Sequence, residues 1–331
     1  MADIYVLSSM LAFLLAIYGT PLAREAALRF GVVDAPDGRL KNQEEPVPYM
    51  GGLAIYIAVL IPLCLLYTFD SRILAILLSG TLVLLLGLID DFGVLTPTAK
   101  LLGQIIAATV LIKGEVLIHV ASFPFWVNLT LTFLWIIGMT NAMNIIDIMD
   151  GLAAGVAIVA SFVLFIVAVI NNHTMIAIFT LTLTGSLAGF LRYNFRPAKI
   201  YMGDAGSMFL GLSLGALAII GDYSAHNRLA FFNPLMIFGV ALFDTVYVMI
   251  LRTAKGRSMF LGSKDHFALR LKVKGWPVVR IVIFSYVVTT ILGGLALWNM
   301  YMEPSQSLVI YGSILLFFLA MGIWLARIRM T

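Results

Sequence analysis

The sequence predicts an all-α, polytopic integral membrane protein with about eleven transmembrane helices, and three observations lead there. Of 331 residues, 61% are hydrophobic and 11% are charged, far below the ~25% charged share of soluble domains, so water is not the main solvent. Uncharged stretches recur along the whole chain at lengths near the ~20 residues that a helix needs to cross a hydrocarbon core of ~30 Å. When successive loops are placed on alternate sides, all but three of the 21 lysines and arginines fall on one side.

The spans read at 4–22, 50–69, 73–89, 99–118, 125–146, 151–170, 174–191, 205–221, 230–251, 277–302 and 305–326. The first follows Met1-Ala2-Asp3, which supplies no positive n-region, and its apolar run is too long for a cleaved signal peptide. Cys64 stands alone in the second, so no intrachain disulfide forms. The third ends on Asp90 and Asp91; the fourth is the weakest, because Lys113 and Glu115 cut it short. Asn141 and Asn144 lie toward the end of the fifth, Asp150-Gly151 opens the sixth, and Asp204 opens the eighth between two glycines. The ninth encloses Asp244, which costs several kcal/mol at membrane depth unless paired. A functional role and a buried structural one fit it equally. No loop is long enough for a separate soluble domain, so residues 1–331 read as one transmembrane domain with cytoplasmic loops near 23–49, 90–99, 147–151, 192–205 and 252–276.

Orientation follows from charge. One side carries Arg24, Arg29, Arg39, Lys41, Lys100, Arg192, Arg196, Lys199, Arg252, Lys255, Arg257, Lys264, Arg270, Lys272, Lys274, Arg280, Arg327 and Arg329, and the other only Arg72, Lys113 and Arg228. The rich side is cytoplasmic by the positive-inside rule, which puts the N-terminus outside and the C-terminus inside. The net charge of +4 needs no nucleic-acid partner, since anionic lipid headgroups of the bilayer account for it.

Five aspartates lie at helix ends on the cytoplasmic side: Asp90, Asp91, Asp147, Asp150 and Asp204. In GLIDDFG two carboxylates share a helix C-terminus, where the macrodipole disfavours acids by roughly a few tenths of a kcal/mol or more. Their repulsion adds about 1 kcal/mol in water and several in a partly dry site. A divalent cation would reverse both penalties; a helix stop before a turn at Gly93 is the plainer reading. In NAMNIIDIMDGLAAG, Asn141, Asn144, Asp147 and Asp150 are spaced by three, one row along a helix face if the fifth helix extends that far. Alternatively Asp150 caps the sixth helix. In NFRPAKIYMGDAGS, the small residues around Asp204 let an anionic group approach a helix N-terminus, and Asp204 as a simple cap is the alternative. Tyr201 offers a ring for stacking a base or for the membrane interface. The acids on the outer side, Asp3, Asp70, Glu115, Asp222 and Glu303, are scattered singly.

The longest cytoplasmic loop gathers cations around His266. Lys264, His266 and Arg270 suit phosphate oxygens, and the histidine suits proton movement. Lys100 suits a phosphate contact or snorkelling, and Lys41 precedes an ordered Pro/Gly turn at Pro46, Pro48, Gly51 and Gly52. Mg²⁺ takes one or two carboxylates plus substrate phosphates, so five aspartates leave some for a base or nucleophile and for nucleoside contacts. The set suits phosphoryl transfer between a soluble diphosphate and a lipid.

GLIDDFG, NIIDIMDGLAAG, NFRPAKIYMGDAGS and KDHFALRL, in this order and with this span pattern, resemble the polyprenyl-phosphate N-acetylhexosamine-1-phosphate transferases over nearly the whole chain. The resemblance implies a bacterial inner-membrane enzyme with its active site facing the cytoplasm. It would move a sugar-1-phosphate, GlcNAc-1-phosphate first, from a UDP-sugar to undecaprenyl phosphate with release of UMP, using Mg²⁺ or Mn²⁺, and homodimers fit the family. Carried over by position, Asp90, Asp91, Asp147 and His266 become catalytic and Asp91 and Asp204 metal ligands. Lys100, Asn144, Asp150, Asn194, Tyr201, Lys264 and Arg270 become substrate contacts, with Asp150, Asn194 and Tyr201 toward uridine.

Three departures bear on the sub-family. The family's H-x-H-H loop reads His266-Phe267-Ala268-Leu269, a glycine of its D-G-x-D-G stretch is replaced by Ile148, and Glu44 and Glu45 stand where a basic residue often precedes the Pro/Gly turn. These argue against the phospho-MurNAc-pentapeptide transferases of peptidoglycan synthesis and for an initiator of O-antigen, teichoic acid or another surface glycan. From other classes, a membrane transporter and a phosphate-binding scaffold remain as rivals, though the acids cluster at one face and not at the midplane where transporters bind.

Overall fold

The computed structural model describes residues 2–34, 46–256 and 263–330. Lys41, Glu44 and Glu45 lie outside the described residues. The chain divides into two compact units, Met1–Gly221 and Asp222–Thr331.

The first unit holds α1 (Ala2–Phe30), the two-residue strands β1 (Val33–Asp34) and β2 (Val47–Pro48), and then α2 (Gly51–Leu66), α3 (Ser71–Asp91), α4 (Pro97–Lys113), α5 (Phe125–Ile146), α6 (Leu152–Ile170), α7 (Thr174–Asn194) and α8 (Gly203–Ile220). The strands pair antiparallel, Val33 with Pro48 and Asp34 with Val47. At the centre runs α8, against α2, α3, α5 and α6, with 83% of its apolar window buried. Its many small residues make this possible, because without a hydrophobic drive in lipid, helices associate through close backbone contact. A Cβ on Gly52 would lie 2.2 Å from the Gly206 nitrogen, and one on Gly87 2.4 Å from the Ala205 Cα. Those two contacts seat the N-terminus of α8 against α2 and against the last turns of α3.

The second unit holds a 3-10 turn (Arg228–Phe232), α9 (Asn233–Ile237), α10 (Gly239–Ala254), α11 (Phe267–Val273), α12 (Val278–Asn299) and α13 (Pro304–Ala326). A buried polar network braces it. Asn227 Nδ2 donates to the Asn299 carbonyl and to Ser307 Oγ, both at 2.7 Å, and Asn233 Nδ2 donates to the Ala296 carbonyl at 2.8 Å. Asn299 Nδ2 donates to Asn233 Oδ1 at 2.8 Å, and the three asparagines are at most 1% exposed. In a dry interior such a network stabilises through the members that find partners; the Asn299 Oδ1 atom is buried without one.

The protein is thus all-α and multi-pass. Among the described residues, eight helices are long and apolar enough to cross a membrane, or nine if the bent pair around Phe238 is one span. A helix stands at each of the eleven expected places, with four corrections of shape. α1 runs on past residue 22 to Phe30, an amphiphilic extension with an Arg29–Glu25 pair at 2.6 Å. α2 is 16 residues long and α4 is 17; the latter stops at Gly114 and Glu115, the second at φ +66. The expected continuous ninth helix is broken, its halves meeting at 73°. Pro234 opens the short first half without an N–H to donate, and Phe238 leaves the helical path at ψ 15. Asn233 ties that half to α12. Finally α5 ends at Ile146, with Asp147 as its C-cap. The expected row of four polar residues is therefore two on a helix and two in the turn beyond it.

Candidate active site

The chain enters α8 as an extended segment beside β2. Tyr201 donates its N–H to the Pro48 carbonyl at 2.9 Å, and Gly51 and Gly52 donate to the carbonyls of Tyr201 and Met202 at 3.0 and 2.9 Å. Gly203 then turns at φ +71, where a Cβ would sit 2.6 Å from Asp91 Oδ2, so glycine permits both the turn and the approach. Asp91 uses that approach: Oδ1 accepts the Asp204 N–H at 2.7 Å and Oδ2 the Ala205 N–H at 3.4 Å. The last residue of α3 thereby caps α8, and the positive N-terminus of one helix offsets the negative C-terminus of the other. Asp204 is not the cap of its own helix; Met202 holds that position without a side-chain bond, leaving the Asp204 carboxylate to face outward.

Lys100, in the first turn of α4, is the hub. Its Nζ pairs with Asp90 Oδ2 at 2.7 Å, with Asp204 Oδ2, and with Asn144 Oδ1 at 3.3 Å. Asn144 Nδ2 donates in turn to Asp204 Oδ1 at 2.8 Å and to Ser207 Oγ at 2.9 Å. One helical turn deeper, Gln104 and Asn141 exchange amide hydrogen bonds at 3.3 and 2.8 Å, locking α4 to α5 below Lys100 and Asn144. The side chain of Asp204 keeps 35% exposure against 17% for Asp90 and Lys100, so a ligand can reach it.

Whether the residues suit a divalent cation is answered by Lys100 itself: two carboxylate oxygens from α3 and α8 already converge on one cation, its ammonium. Among the described residues no group of three His, Cys, Asp or Glu is placed to hold a metal alone. Two oxygens with the remaining positions left to phosphates and water fit Mg²⁺, and they do not fit a closed N/S site.

Asp150 does not cap α6, whose N-cap is Gly151 at φ +78. Its carboxylate accepts from Arg196 Nη1 at 3.2 Å and from the Ala198 N–H at 3.1 Å. Asn194 is 2% exposed; it accepts from the Gly151 N–H at 3.1 Å and donates to the Ile200 carbonyl at 3.0 Å, so it shapes the turn between these loops. Burial, then the charges of Asp204, Asp91 and Asp150, push the Asp147 carboxyl up to about 8. A carboxyl raised on folding destabilises the folded state as pH climbs from the ordinary value toward the raised one. Asp147→Asn is therefore expected to raise the Tm of the metal-free protein by a few degrees at a pH of about 8, and by less at about 5, as thermal unfolding at the two pH values would show.

Sequence reasoning missed Asp34 and Tyr49. Asp34 is 5% exposed on β1, hydrogen-bonded with Tyr49, whose hydroxyl is raised by burial, by that bond, and by the charges of Asp34, Asp91 and Asp204. The Tyr49 and Tyr201 rings lie 6.2 Å apart at 50°, and burial pushes Tyr201 up to about 12, with the nearby charges of Asp150 and Asp34 adding to it. No motif flags Asp34; its signal is a lone acid in a short apolar ribbon. Gln104 was missed too, although it lies four residues after Lys100, on the same helix face.

In the second unit Asp244 acquires the partner that its sequence lacked. It is fully buried, with Oδ2 at 2.7 Å from His266 Nδ1 and Oδ1 accepting the Phe267 N–H at 2.8 Å. Asp265 pairs with Lys255 Nζ at 2.7 Å and with Arg270 Nη2 at 2.6 Å. Burial works against its charge, yet the bonds from Lys255, Arg270 and Ser263 hold it below the usual carboxylate range. Arg270 is 3% exposed and also donates Nη1 to the carbonyls of Leu325 and Ile328, at 3.1 and 2.7 Å. It therefore stitches the loop to the end of α13, while Lys264 stands exposed.

Residues 73–222 match the model of glycosyl transferase family 4. The chain is 33% identical over 293 residues to a probable undecaprenyl-phosphate N-acetylglucosaminyl 1-phosphate transferase of Bacillus subtilis, covering 86% of this chain and 81% of that one. It is 31% identical to the decaprenyl-phosphate N-acetylglucosaminephosphotransferase of Mycolicibacterium smegmatis, over 91% of this chain and 83% of the relative. A phospho-N-acetylmuramoyl-pentapeptide-transferase of Halalkalibacterium halodurans is 30% identical, over 88% and 95%.

Proposed function

Since the chain belongs to glycosyl transferase family 4, we propose that it transfers a sugar-1-phosphate, GlcNAc-1-phosphate ahead of others, from a UDP-sugar to undecaprenyl phosphate, releasing UMP. The observation that carries this reading is the convergence of Asp90, Asp204 and Asn144 on Lys100 Nζ from four helices. Carboxylate oxygens and an ammonium in one partly exposed cluster are what a diphosphate with its counter-ion requires.

Asp204 and Asp90 offer the oxygens that would hold Mg²⁺, Asp90 standing in for the expected Asp91, whose two oxygens are taken by the N–H groups of Asp204 and Ala205; when bound, the ion supplies the positive charge that neutralises the diphosphate. Lys100 presents its ammonium to phosphate oxygens, and Asn144 fixes the rotamer of Asp204. Asp91 keeps the N-terminus of α8 in register beneath it. Asp150 and Tyr201, arranged by Asn194, present an acceptor and a ring to the uridine. In the net reaction the sugar-bearing phosphorus gains a P–O bond to the lipid phosphate and loses the one to UMP, which leaves.

Purified protein with undecaprenyl phosphate and a panel of UDP-sugars is expected to release UMP fastest with UDP-GlcNAc, and only with both the lipid and a divalent cation present. Preference for a UDP-MurNAc-pentapeptide would move the chain to the peptidoglycan branch. Sugar flux into sealed vesicles without UMP would make it a transporter.

The eleven-span topology, with the N-terminus outside and the cluster facing the cytoplasm of the inner membrane, belongs to the same proposal. On a Cys64→Ala background, a cysteine at Lys113 should react with an impermeant maleimide from outside intact spheroplasts. One at Arg329 should react only after lysis. Equal reactivity at both positions would discard the orientation.

A further inference from the structure

We propose that Lys100 couples the binding of a divalent cation to the binding of the diphosphate, because its ammonium and the cation draw on the same two carboxylate oxygens, Asp90 Oδ2 and Asp204 Oδ2. The inference deepens the transferase reading and rests on it for the identity of the two ligands; the sharing of oxygens stands on geometry. An ammonium has three N–H donors and no acceptor. At Lys100 all three are engaged: Nζ lies 2.7 Å from Asp90 Oδ2 and 3.3 Å from Asn144 Oδ1, and it bonds Asp204 Oδ2 as well. No donor is left for a phosphate oxygen.

The carboxylates are used just as fully. Asn144 Nδ2 holds Asp204 Oδ1 at 2.8 Å, which leaves Oδ2, the oxygen on Lys100, as the one that α8 can give to an ion. Asp91 offers no substitute, since the N–H groups of Asp204 and Ala205 take both of its oxygens. A divalent ion on Asp90 and Asp204 therefore stands beside the ammonium, and two cations that close repel strongly where little water intervenes. Each ligand relieves the conflict for the other. Phosphate oxygens draw the ammonium off the carboxylates, and an ion on the carboxylates frees N–H groups for the phosphates. Such a coupling is reciprocal, so each ligand tightens the other by the same factor. Gln104 and Asn141 hold α4 to α5 one turn deeper, so the exchange is a movement of the lysine side chain and not of its helix. A lysine that only cross-linked α3, α4 and α8 predicts the opposite, because its loss would scatter the carboxylates and weaken ion binding.

Mn²⁺ serves as the probe for the ion and UDP for the diphosphate. Titration with Mn²⁺, followed through the electron paramagnetic resonance of the free ion and with Asp204→Asn as background, should show about tenfold tighter binding in Lys100→Met than in wild type, both without nucleotide. Arg196→Met removes a cation that pairs with Asp150 and touches neither shared oxygen; its affinity should stay near that of the wild type. A second measurement needs no variant. Reductive methylation of wild-type Lys100, read by peptide mass spectrometry, should speed up when Mg²⁺ is added and slow again when UDP joins it. Equal or weaker Mn²⁺ binding in a folded Lys100→Met, a matching gain in Arg196→Met, or Lys100 labelling indifferent to Mg²⁺ overturns the proposal. If the ion and UDP show the coupling while no UDP-sugar yields UMP with undecaprenyl phosphate, the transferase reading fails and the shared oxygens stand.

Discussion

Asp204→Asn is expected to lower the rate of UMP release about 10³-fold, equivalent to roughly 4 kcal/mol of transition-state stabilisation, while the protein stays folded. Both Asp204 oxygens are engaged, one by Lys100 and the other by Asn144 Nδ2. An asparagine keeps the shape but must turn an NH₂ toward either the ammonium or the Asn144 amide, a donor against a donor in each case. Lys100 would fall back on Asp90, and the oxygen offered from α8 to a cation would be gone. Folding should survive, because Asp91 reaches α8 through the backbone N–H of residue 204 and not through its side chain. Turnover by coupled UMP detection, alongside thermal unfolding in the same detergent, checks both halves. A rate within tenfold of wild type would remove Asp204 from the reaction.

The second large effect is expected from a methyl group far smaller than any charge. Gly52→Ala places a Cβ 2.2 Å from the Gly206 nitrogen and 2.4 Å from its Cα. The obstacle is helix backbone, which cannot rotate aside as a side chain would. Either α2 and α8 separate or the variant fails to assemble, and overpacking of this kind costs about 1–3 kcal/mol. Since α8 carries Asp204, activity should fall by more than tenfold at temperatures where the protein is still folded. Gly138→Ala is the control, because nothing lies within 4 Å of its added carbon; it should match the wild type in Tm and rate. Equal behaviour of the two variants would show that the contact at Gly52 is slack.

The helices were legible because hydrophobic length reports on the surrounding solvent, and lipid applies that test to each segment separately. Helix shape was less so. The break at Phe238 depends on Asn233 reaching α12, 63 residues away, and no local period carries that. The same holds for the site. The acidic residues were identifiable as a set, since five aspartates at one membrane face are unusual, but their division of labour was not. That Asp91 caps α8 is a contact across 113 residues, and the Lys100–Asp204 pair spans 104. Asp244 read as an unpaired intramembrane acid because its partner is 22 residues on, beyond the end of its own helix. Arg270 and Asn194 come to the substrate set from the resemblance alone, and the bonds each makes to the backbone, to Leu325 and Ile328 and to Gly151 and Ile200, are contacts that no local pattern announces.

Arg270 carries a practical consequence for anyone shortening this protein. Two of its bonds end on the carbonyls of Leu325 and Ile328, so the final turn of α13 anchors the loop that bears His266. Removing the residues from 327 onward would strip one of those anchors and let the other fray, and the damage would surface at His266, some sixty positions upstream. Affinity tags and fusion partners belong after an intact Met330, and a deletion series from that end would report on the histidine loop before it reported on membrane insertion.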